Sequence, residues 1–293
     1  MKKLRFSALL VVTLTSLSAN AGLGEALLEN AVKTGGTYLK KFAETQNQQP
    51  TEQQSASSRI TSNEFSKGYL GNTQIESFDD AKKLLYGKVH RYKEDRVTLY
   101  CGAEYSQKRR VSLPEGFQTK SHQNRQSRVE AEHIVPAHTL AMHVPEWKNG
   151  HPSCVENGKS FKGRECAIKA NNEFNRMQSD LFNLYPAIGS VNALRSNHKF
   201  GMLPHAKSDF GSCDMRIENK TAQPPEAARG IVARTHLYMD MVYPLFNLSK
   251  QQRQLMEAWD KQYPVTTIEC TRLARIKPIQ GNTNPILEAR CKG

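Results

Sequence analysis

The chain reads as an α+β fold, a helix-rich shell around a small antiparallel sheet, and three observations predict it. Arg96–Cys101 is β-branched and aromatic, and Val129–Ile134 alternates with period two, so both have strand character. Pro224–Tyr243 and Ser249–Tyr263 carry apolar residues at helical spacing between clear start and stop signals. At 293 residues and 38% hydrophobic, the chain has enough apolar content to bury a sizeable core.

In chain order, Met1 to Ala21 is a processing segment, with Lys2, Lys3 and Arg5 before an apolar run and Ala19-Asn20-Ala21 as a small-x-small cleavage site. The run at residues 8–17 is too short to span a bilayer, and no later segment reaches spanning length, so stable membrane insertion is not expected. The expected product is exported, to the periplasm or beyond. Residues 22–70 form an N-terminal extension. Its first part holds two short amphipathic pieces interrupted at Gly35-Gly36, and residues 46–63 are a Gln/Ser/Thr-rich linker. Residues 71–293 form the main domain.

Within that domain Ser77 precedes F-D-D-A-K-K-L-L-Y, a helix with an N-cap and acids in its first turn. The strand over residues 96–101 is expected to pair with the strand over residues 129–134. Between them, residues 107–128 form a basic loop. Residues 166–180 read as one helix, and a short helix over residues 188–194 follows Pro186. Pro224–Tyr243 begins on two prolines, and Ser249 caps the next helix, which Pro264 ends. A last short helix covers residues 269–276.

The formal charge is +13, from 41 Lys and Arg against 28 Asp and Glu, and losing Lys2, Lys3 and Arg5 with the signal takes it to +10. Such an excess favours polyanionic partners, nucleic acid or an anionic membrane surface. Cys101, Cys154, Cys166, Cys213, Cys270 and Cys291 all lie beyond the signal, and an even count in an exported chain reads as three disulfides. Only Cys154–Cys166 is assigned from the residues, as a staple across the N-G-K-S-F-K-G-R loop. No C-x-x-C pair supports a thiolate zinc site.

The chemistry-bearing stretch is R-V-E-A-E-H-I-V-P-A-H-T-L, residues 128–140, where Glu132 sets a hard-cation ligand beside the imidazole of His133. The two point to opposite faces of a strand unless it bends. A zinc site from His133, His138 and His143 is disfavoured. Successive five-residue steps turn about 140° on a helix of roughly 100° per residue, so the three share no face.

E-H-I-V-P-A, followed by F-N-R-M-Q-S-D-L-F-N-L-Y-P-A-I-G-S-V-N-A-L-R-S-N, closely resembles the endonuclease I family of bacterial periplasmic and secreted nucleases. The likeness runs on through F-G-S-C-D-M-R-I and P-P-E-A-A-R-G-I-V-A-R-T-H-L-Y-M to the final N-P-I-L-E-A-R-C, covering residues 77–291. That family has a ββα-metal, or His-Me finger, core. The resemblance implies that His133 is the general base, that Glu132 and Asn192 are metal ligands, and that Arg164 in K-G-R-E-C holds the phosphate. In related ββα-metal nucleases the ligand asparagine lies nine positions after the first Asn of N-x-x-P. Asn192 stands at that offset from Asn183, which then matches the structural asparagine that ties the loop to the His-bearing segment. Asn197 is the fallback ligand. Arg195, three residues after Asn192, shares its helical face and is expected to touch phosphate.

An oxygen-only shell of this kind suits Mg²⁺, with Ca²⁺ or Mn²⁺ as substitutes. The implied activity is a metal-dependent, largely sequence-non-specific endonuclease acting on DNA and also RNA, as a monomer, and leaving 5′-phosphates. No base-reading module is present in the sequence. Two other classes compete: a nuclease-derived nucleic-acid-binding protein without catalysis, and a basic membrane-surface adaptor. One departure stands out. The family typically carries C-G-C where this chain has Cys101-Gly102-Ala103, so one family bridge is missing and the family's pairing does not carry over.

Overall fold

Helices outnumber strands because the apolar residues recur mainly at helical spacing, and a computed structural model describes them over residues 70–291. The expected signal peptide, amphipathic pieces and polar linker lie outside the described residues. The described part falls within one compact unit, Ile60–Gly293. Helix α1 (Phe78–Leu84) is capped by Ser77, whose side chain accepts from the Asp80 amide. Strand β1 (Val129–His133) leads through Pro136 into α2 (Ala137–Ala141) and α3 (Pro145–Asn149). A small hairpin, β2 (Val155–Glu156) with β3 (Lys159–Ser160), precedes α4 (Arg164–Ala170) and α5 (Asn172–Gln178). Then come β4 (Leu184–Ile188), α6 (Gly189–Arg195), and a three-stranded sheet of β5 (Lys199–Phe200), β6 (Arg216–Glu218) and β7 (Thr221–Gln223), in the order β5-β7-β6. Helices α7 (Glu226–Val242), α8 (Lys250–Gln262), α9 (Thr267–Gln280) and α10 (Pro285–Glu288) finish the chain.

The strand expected over residues 96–101 is corrected: the segment holds one isolated bridge, Val97 with Glu104, and then turns, so the expected pairing with β1 does not form. The antiparallel partner of β1 is β4, with Glu132 opposite Tyr185 and Ala131 opposite Pro186. The other edge of β1 is taken by residues 109–111, where the Val129 amide donates to the Arg109 carbonyl. The 96–101 segment lies instead on the far side of β4, where the Leu99 amide donates to the Pro186 carbonyl at 2.8 Å. A proline inside a paired strand is tolerated here for a geometric reason. Ile134 N donates to Asn183 O and Gly189 N to Arg128 O, which fixes the hydrogen-bonded register. Pro186 then falls on a non-hydrogen-bonded pair, where its missing N–H costs the ladder nothing.

The single helix expected over residues 166–180 is two. Asn171 leaves helical geometry at φ −133°, and its side chain accepts from the Phe174 amide to start α5 afresh. The helix expected over residues 269–276 is α9, which is longer and is not the last, since α10 follows it. Thr266 and Glu269 form a capping box at its start, it passes Pro278, and Gly281 closes it in the left-handed region at φ 74°.

Two cores meet at the β1–β4 pair. Leu184, Tyr238, Met239 and Val242 belong to one, and Ile134, Ile188, Ile231 and Val232 to the other. Helix α7 serves both, which its 17 residues, roughly 25 Å of helix, are long enough to do. Arg234 on α7 forks onto Glu269 of α9 at 2.7 and 2.8 Å and reaches Asp260 of α8 at 3.1 Å, so one buried guanidinium ties three helices. The buried carboxylate of Asp180 accepts from Tyr238, Tyr243, Gln280 and the Phe182 amide, anchoring the turn between α5 and β4. Three disulfides staple the frame: Cys101–Cys213, Cys154–Cys166 and Cys270–Cys291. The Cys154–Cys166 staple is the one expected from the residues.

Candidate active site

β1 sends its side chains alternately to two faces, and a cleft of about 770 Å³ wraps round its end so that both faces line it. On one face His133 packs against Phe78 of α1, ring centroids 4.6 Å apart. Its Nε2 lies 2.7 Å from the Gln178 carbonyl oxygen. A carbonyl accepts only, so Nε2 carries the proton and Nδ1 keeps its lone pair. Burial pushes the imidazole pKa down to about 3; the Gln178 carbonyl opposes this, and the cations Arg164 and Arg195 add to it. The ring is therefore neutral near pH 7, with a lone pair on Nδ1.

Arg164 opens α4 beside it. Its Nη2 donates to Gln178 Oε1 at 2.9 Å and its guanidinium stands 5.4 Å from the Phe78 ring centroid. The two side chains thus share the same two supports, Phe78 and Gln178. Sequence reasoning missed both. Phe78 reads only as the first residue of a capped helix, and Gln178 acts on His133 through its backbone, which no side-chain pattern records.

On the other face Glu132 is buried, 2% exposed, yet lines the cleft. Both of its hydrogen bonds land on Oε1: Tyr100 Oη at 2.7 Å and Arg195 Nη1 at 2.9 Å. Burial raises its pKa, and Arg195 and Tyr100 offset part of that. Asn192, on α6, also lines the cleft, and its Nδ2 donates to Glu130 Oε2 at 2.9 Å. Asn197 is exposed at the cleft wall.

Asn183 is fully buried below the site. Its side-chain oxygen accepts from Val135 N at 2.7 Å and its Nδ2 donates to Val135 O at 2.9 Å. It therefore bonds the loop just after His133 on both sides of one residue.

The phosphate contact expected of Arg195 is corrected. Arg195 is 0% exposed and its terminal nitrogens donate to Glu132, to His133 O at 2.6 Å and to Ile134 O at 2.5 Å. It lies over Phe200, 4.4 Å from the ring centroid, and supports the strand end from inside. The helical spacing to Asn192 is right, but Arg195 sits on the buried flank of α6.

Oxygen donors line the cleft together with His133. Glu132 presents a carboxylate whose two hydrogen bonds use only one oxygen, and Asn192 has its nitrogen committed to Glu130, which leaves the amide oxygen for the cleft. That donor set fits a hard divalent cation. Among the described residues no group of three or more His, Cys, Asp or Glu is gathered to hold a metal, so His133, His138 and His143 form no such site.

The sequence profile described as Endonuclease I matches residues 70–291. An extracellular deoxyribonuclease of Aeromonas hydrophila is 40% identical over 226 residues, covering 74% of this chain and 90% of the relative. Endonuclease-1 of Buchnera aphidicola subsp. Acyrthosiphon pisum is 35% identical over 232 residues, 77% of this chain and 86% of the relative. A periplasmic deoxyribonuclease of Aeromonas hydrophila is 39% identical over 212 residues, 70% of this chain and 83% of the relative.

Proposed function

The chain belongs to the endonuclease I family, and from that premise we propose that it is an exported, metal-dependent endonuclease hydrolysing DNA, and RNA as well, without sequence preference. The observation that carries the reading is the commitment of His133 Nε2 to the Gln178 carbonyl, which leaves Nδ1 as a neutral base at the cleft.

In this reading Nδ1 of His133 takes a proton from water. The water oxygen forms a bond to phosphorus while the bond to the 3′ oxygen breaks on the opposite side. The leaving 3′ oxygen takes a proton from solvent to become a free 3′-hydroxyl, the other product is a 5′-phosphate, and the proton held on His133 returns to solvent. Arg164 binds the phosphate oxygens, with Nη1 and Nε available once Nη2 is spent on Gln178. A hard divalent ion held by Glu132 and Asn192, Mg²⁺ first, would supply charge compensation for the phosphate and the leaving oxygen. β1, β4 and α6, which pack together, are then the ββα-metal core. Recognition runs through phosphate rather than base edges, so sequence preference is weak.

Plasmid nicking with and without EDTA tests this directly. The wild-type mature protein should nick supercoiled plasmid, EDTA should stop it, and His133→Ala should stay folded while the rate falls roughly 10²–10⁴-fold. Binding without nicking would leave a nucleic-acid-binding protein instead. A folded His133→Ala that cuts at the wild-type rate would take the imidazole out of the mechanism.

A further inference from the structure

Between the strand and α6 lies a carboxylate that the chemistry above does not use. Glu130 sits two positions before Glu132 on β1, half-buried, and it gathers donors from three directions. Arg125 forks onto both of its oxygens through Nε and Nη2, Arg128 Nε reaches Oε1 at 2.8 Å, and Asn192 Nδ2 reaches Oε2 at 2.9 Å. Burial works to raise its pKa, but the bonds from Arg125, Asn192 and Arg128 win, and the carboxyl stays below its ordinary value. It is therefore an anion with its charge already answered by two guanidiniums.

The helix is shaped to let this carboxylate through. Gly189 opens α6, and a Cβ there would stand 2.5 Å from the Arg125 carbonyl oxygen and 2.9 Å from Glu130 Oε1. Any larger residue would push the 122–125 turn or the Glu130 side chain away from the helix. The close approach places Glu130 within reach of Asn192, one turn along.

A carboxamide has two ends of similar shape and opposite chemistry. Only its oxygen can serve a cation, and nothing in a bare asparagine selects which end faces the cleft. We propose that Glu130 is a positioning residue that accepts from the Asn192 nitrogen and so holds the Asn192 oxygen toward the metal position. The inference rests on the reading of Asn192 as a ligand. Glu130 itself is not a ligand, because Arg125, Arg128 and Asn192 already occupy its oxygens.

Mn²⁺ titrated into the nucleic-acid-free mature protein, followed through the free-ion EPR signal, reads affinity without any turnover. Glu130→Ala should weaken Mn²⁺ binding by roughly 10–100-fold, the usual cost of losing a group that orients a ligand. Glu130→Gln is the informative variant where the alanine does not fold. Arg125 and Arg128 claim the single amide oxygen of the substituted side chain, which then presents its nitrogen to Asn192. The Asn192 carboxamide turns round, and affinity should drop as well. Adding Asn192→Asp to Glu130→Gln restores the bond with donor and acceptor exchanged, and should recover most of the affinity at unchanged total charge. The double variant Glu130→Ala/Asn192→Ala should bind no more weakly than Asn192→Ala alone, since residues acting on one route do not add. Additive losses, wild-type affinity in folded Glu130→Ala or Glu130→Gln, or no recovery in the exchanged pair overturns the proposal. A wild-type protein that takes up no Mn²⁺, or an Asn192→Ala that takes it up undiminished, removes the metal reading and this inference with it.

Discussion

At the scale of single residues, two asparagines nine positions apart sit in opposite surroundings, and the proposed function gives one a structural and the other a chemical task. Asn183 is enclosed and spends its amide on both backbone groups of Val135, while Asn192 stands at the cleft with its oxygen uncommitted. Asn183→Ala should therefore lower the melting temperature by the equivalent of roughly 1–3 kcal/mol, because it strands a buried donor and acceptor. Its Mg²⁺ requirement should stay near normal. Asn192→Ala should do the reverse, raising the Mg²⁺ concentration for half-maximal rate with little loss of stability; finding the two phenotypes exchanged would reverse the assignment. Arg195 makes a second contrast. Removing it leaves Glu132 buried with no cation and two carbonyls unpaired, so Arg195→Ala should cost about 3–5 kcal/mol by chemical denaturation. Arg195→Lys should rescue little, since one ammonium cannot reproduce a fork. His133, Glu132, Asn192 and Arg164, each singled out from a dense motif, all line one cleft. The sequence failed on Arg195 because spacing fixes an angle around a helix axis, not which flank the rest of the chain covers. Glu130 and Gln178 were illegible for a related reason: the site residues they bond, Asn192 and His133, lie 62 and 45 residues away.

At the scale of elements, legibility followed burial pattern. Helices α7 and α8 announce themselves through caps, prolines and one apolar stripe. Strand β4 does not, because all five of its residues are buried, so L-Y-P-A-I shows no alternation and its proline argues against a strand. Asn171 hid the break between α4 and α5, since a cap and a mid-helix asparagine look alike until the backbone is known. The disulfides give the elements a testable hierarchy. The sequence separations are 112 for Cys101–Cys213, 21 for Cys270–Cys291 and 12 for Cys154–Cys166. Loop-closure entropy then makes the first worth about 5 kcal/mol and the other two about 3 kcal/mol each. Pairwise Cys→Ser variants, compared by urea midpoint, should lose most stability at Cys101–Cys213 and similar, smaller amounts at the other two. Activity should rank differently. Cys166 lies two residues after Arg164 and its bridge holds the loop that leads into α4, so losing Cys154–Cys166 should lower the cleavage rate more than its modest stability cost accounts for. Activity that falls only in proportion to stability across the three variants would break the link between this staple and the site.

At the scale of the whole molecule, charge is distributed unevenly. Several arginines are spent on internal carboxylates, but Arg91, Arg96 and Arg109 have no carboxylate partner among the described residues and line a groove of about 840 Å³. That groove shares Lys82, Tyr86 and Arg109 with the cleft. Arg91→Ala with Arg96→Ala should therefore reduce the salt slope of oligonucleotide binding in EDTA by about 1–2, leaving cleavage of very short substrates unchanged. Titration behaviour is also a property of the whole fold, because three imidazoles are held neutral by it. Burial lowers His90 to about 3, with Arg272 and Arg275 adding to the shift, and lowers His236 to about 4. A histidine whose folded pKa is depressed binds its proton more readily in the unfolded chain. Between the unfolded value near 6.5 and the folded value, the unfolded state holds the extra proton and stability rises with pH. Acidification therefore destabilises, by about 2 kcal/mol per imidazole at pH 5. Asp180 and Glu132 act with the opposite sign, since burial raises both and their protonation in the folded state favours it at low pH. A comparison of variants cancels the carboxylates. The amide nitrogen of Asn can donate to the Val232 carbonyl as His236 Nδ1 does, without titrating. The unfolding free energy of His236→Asn, measured in urea between pH 7.5 and pH 5, should fall less steeply than that of the wild type, the two curves closing by about 2 kcal/mol on the acid side. Parallel curves across that range would mean that His236 keeps an ordinary pKa in the fold.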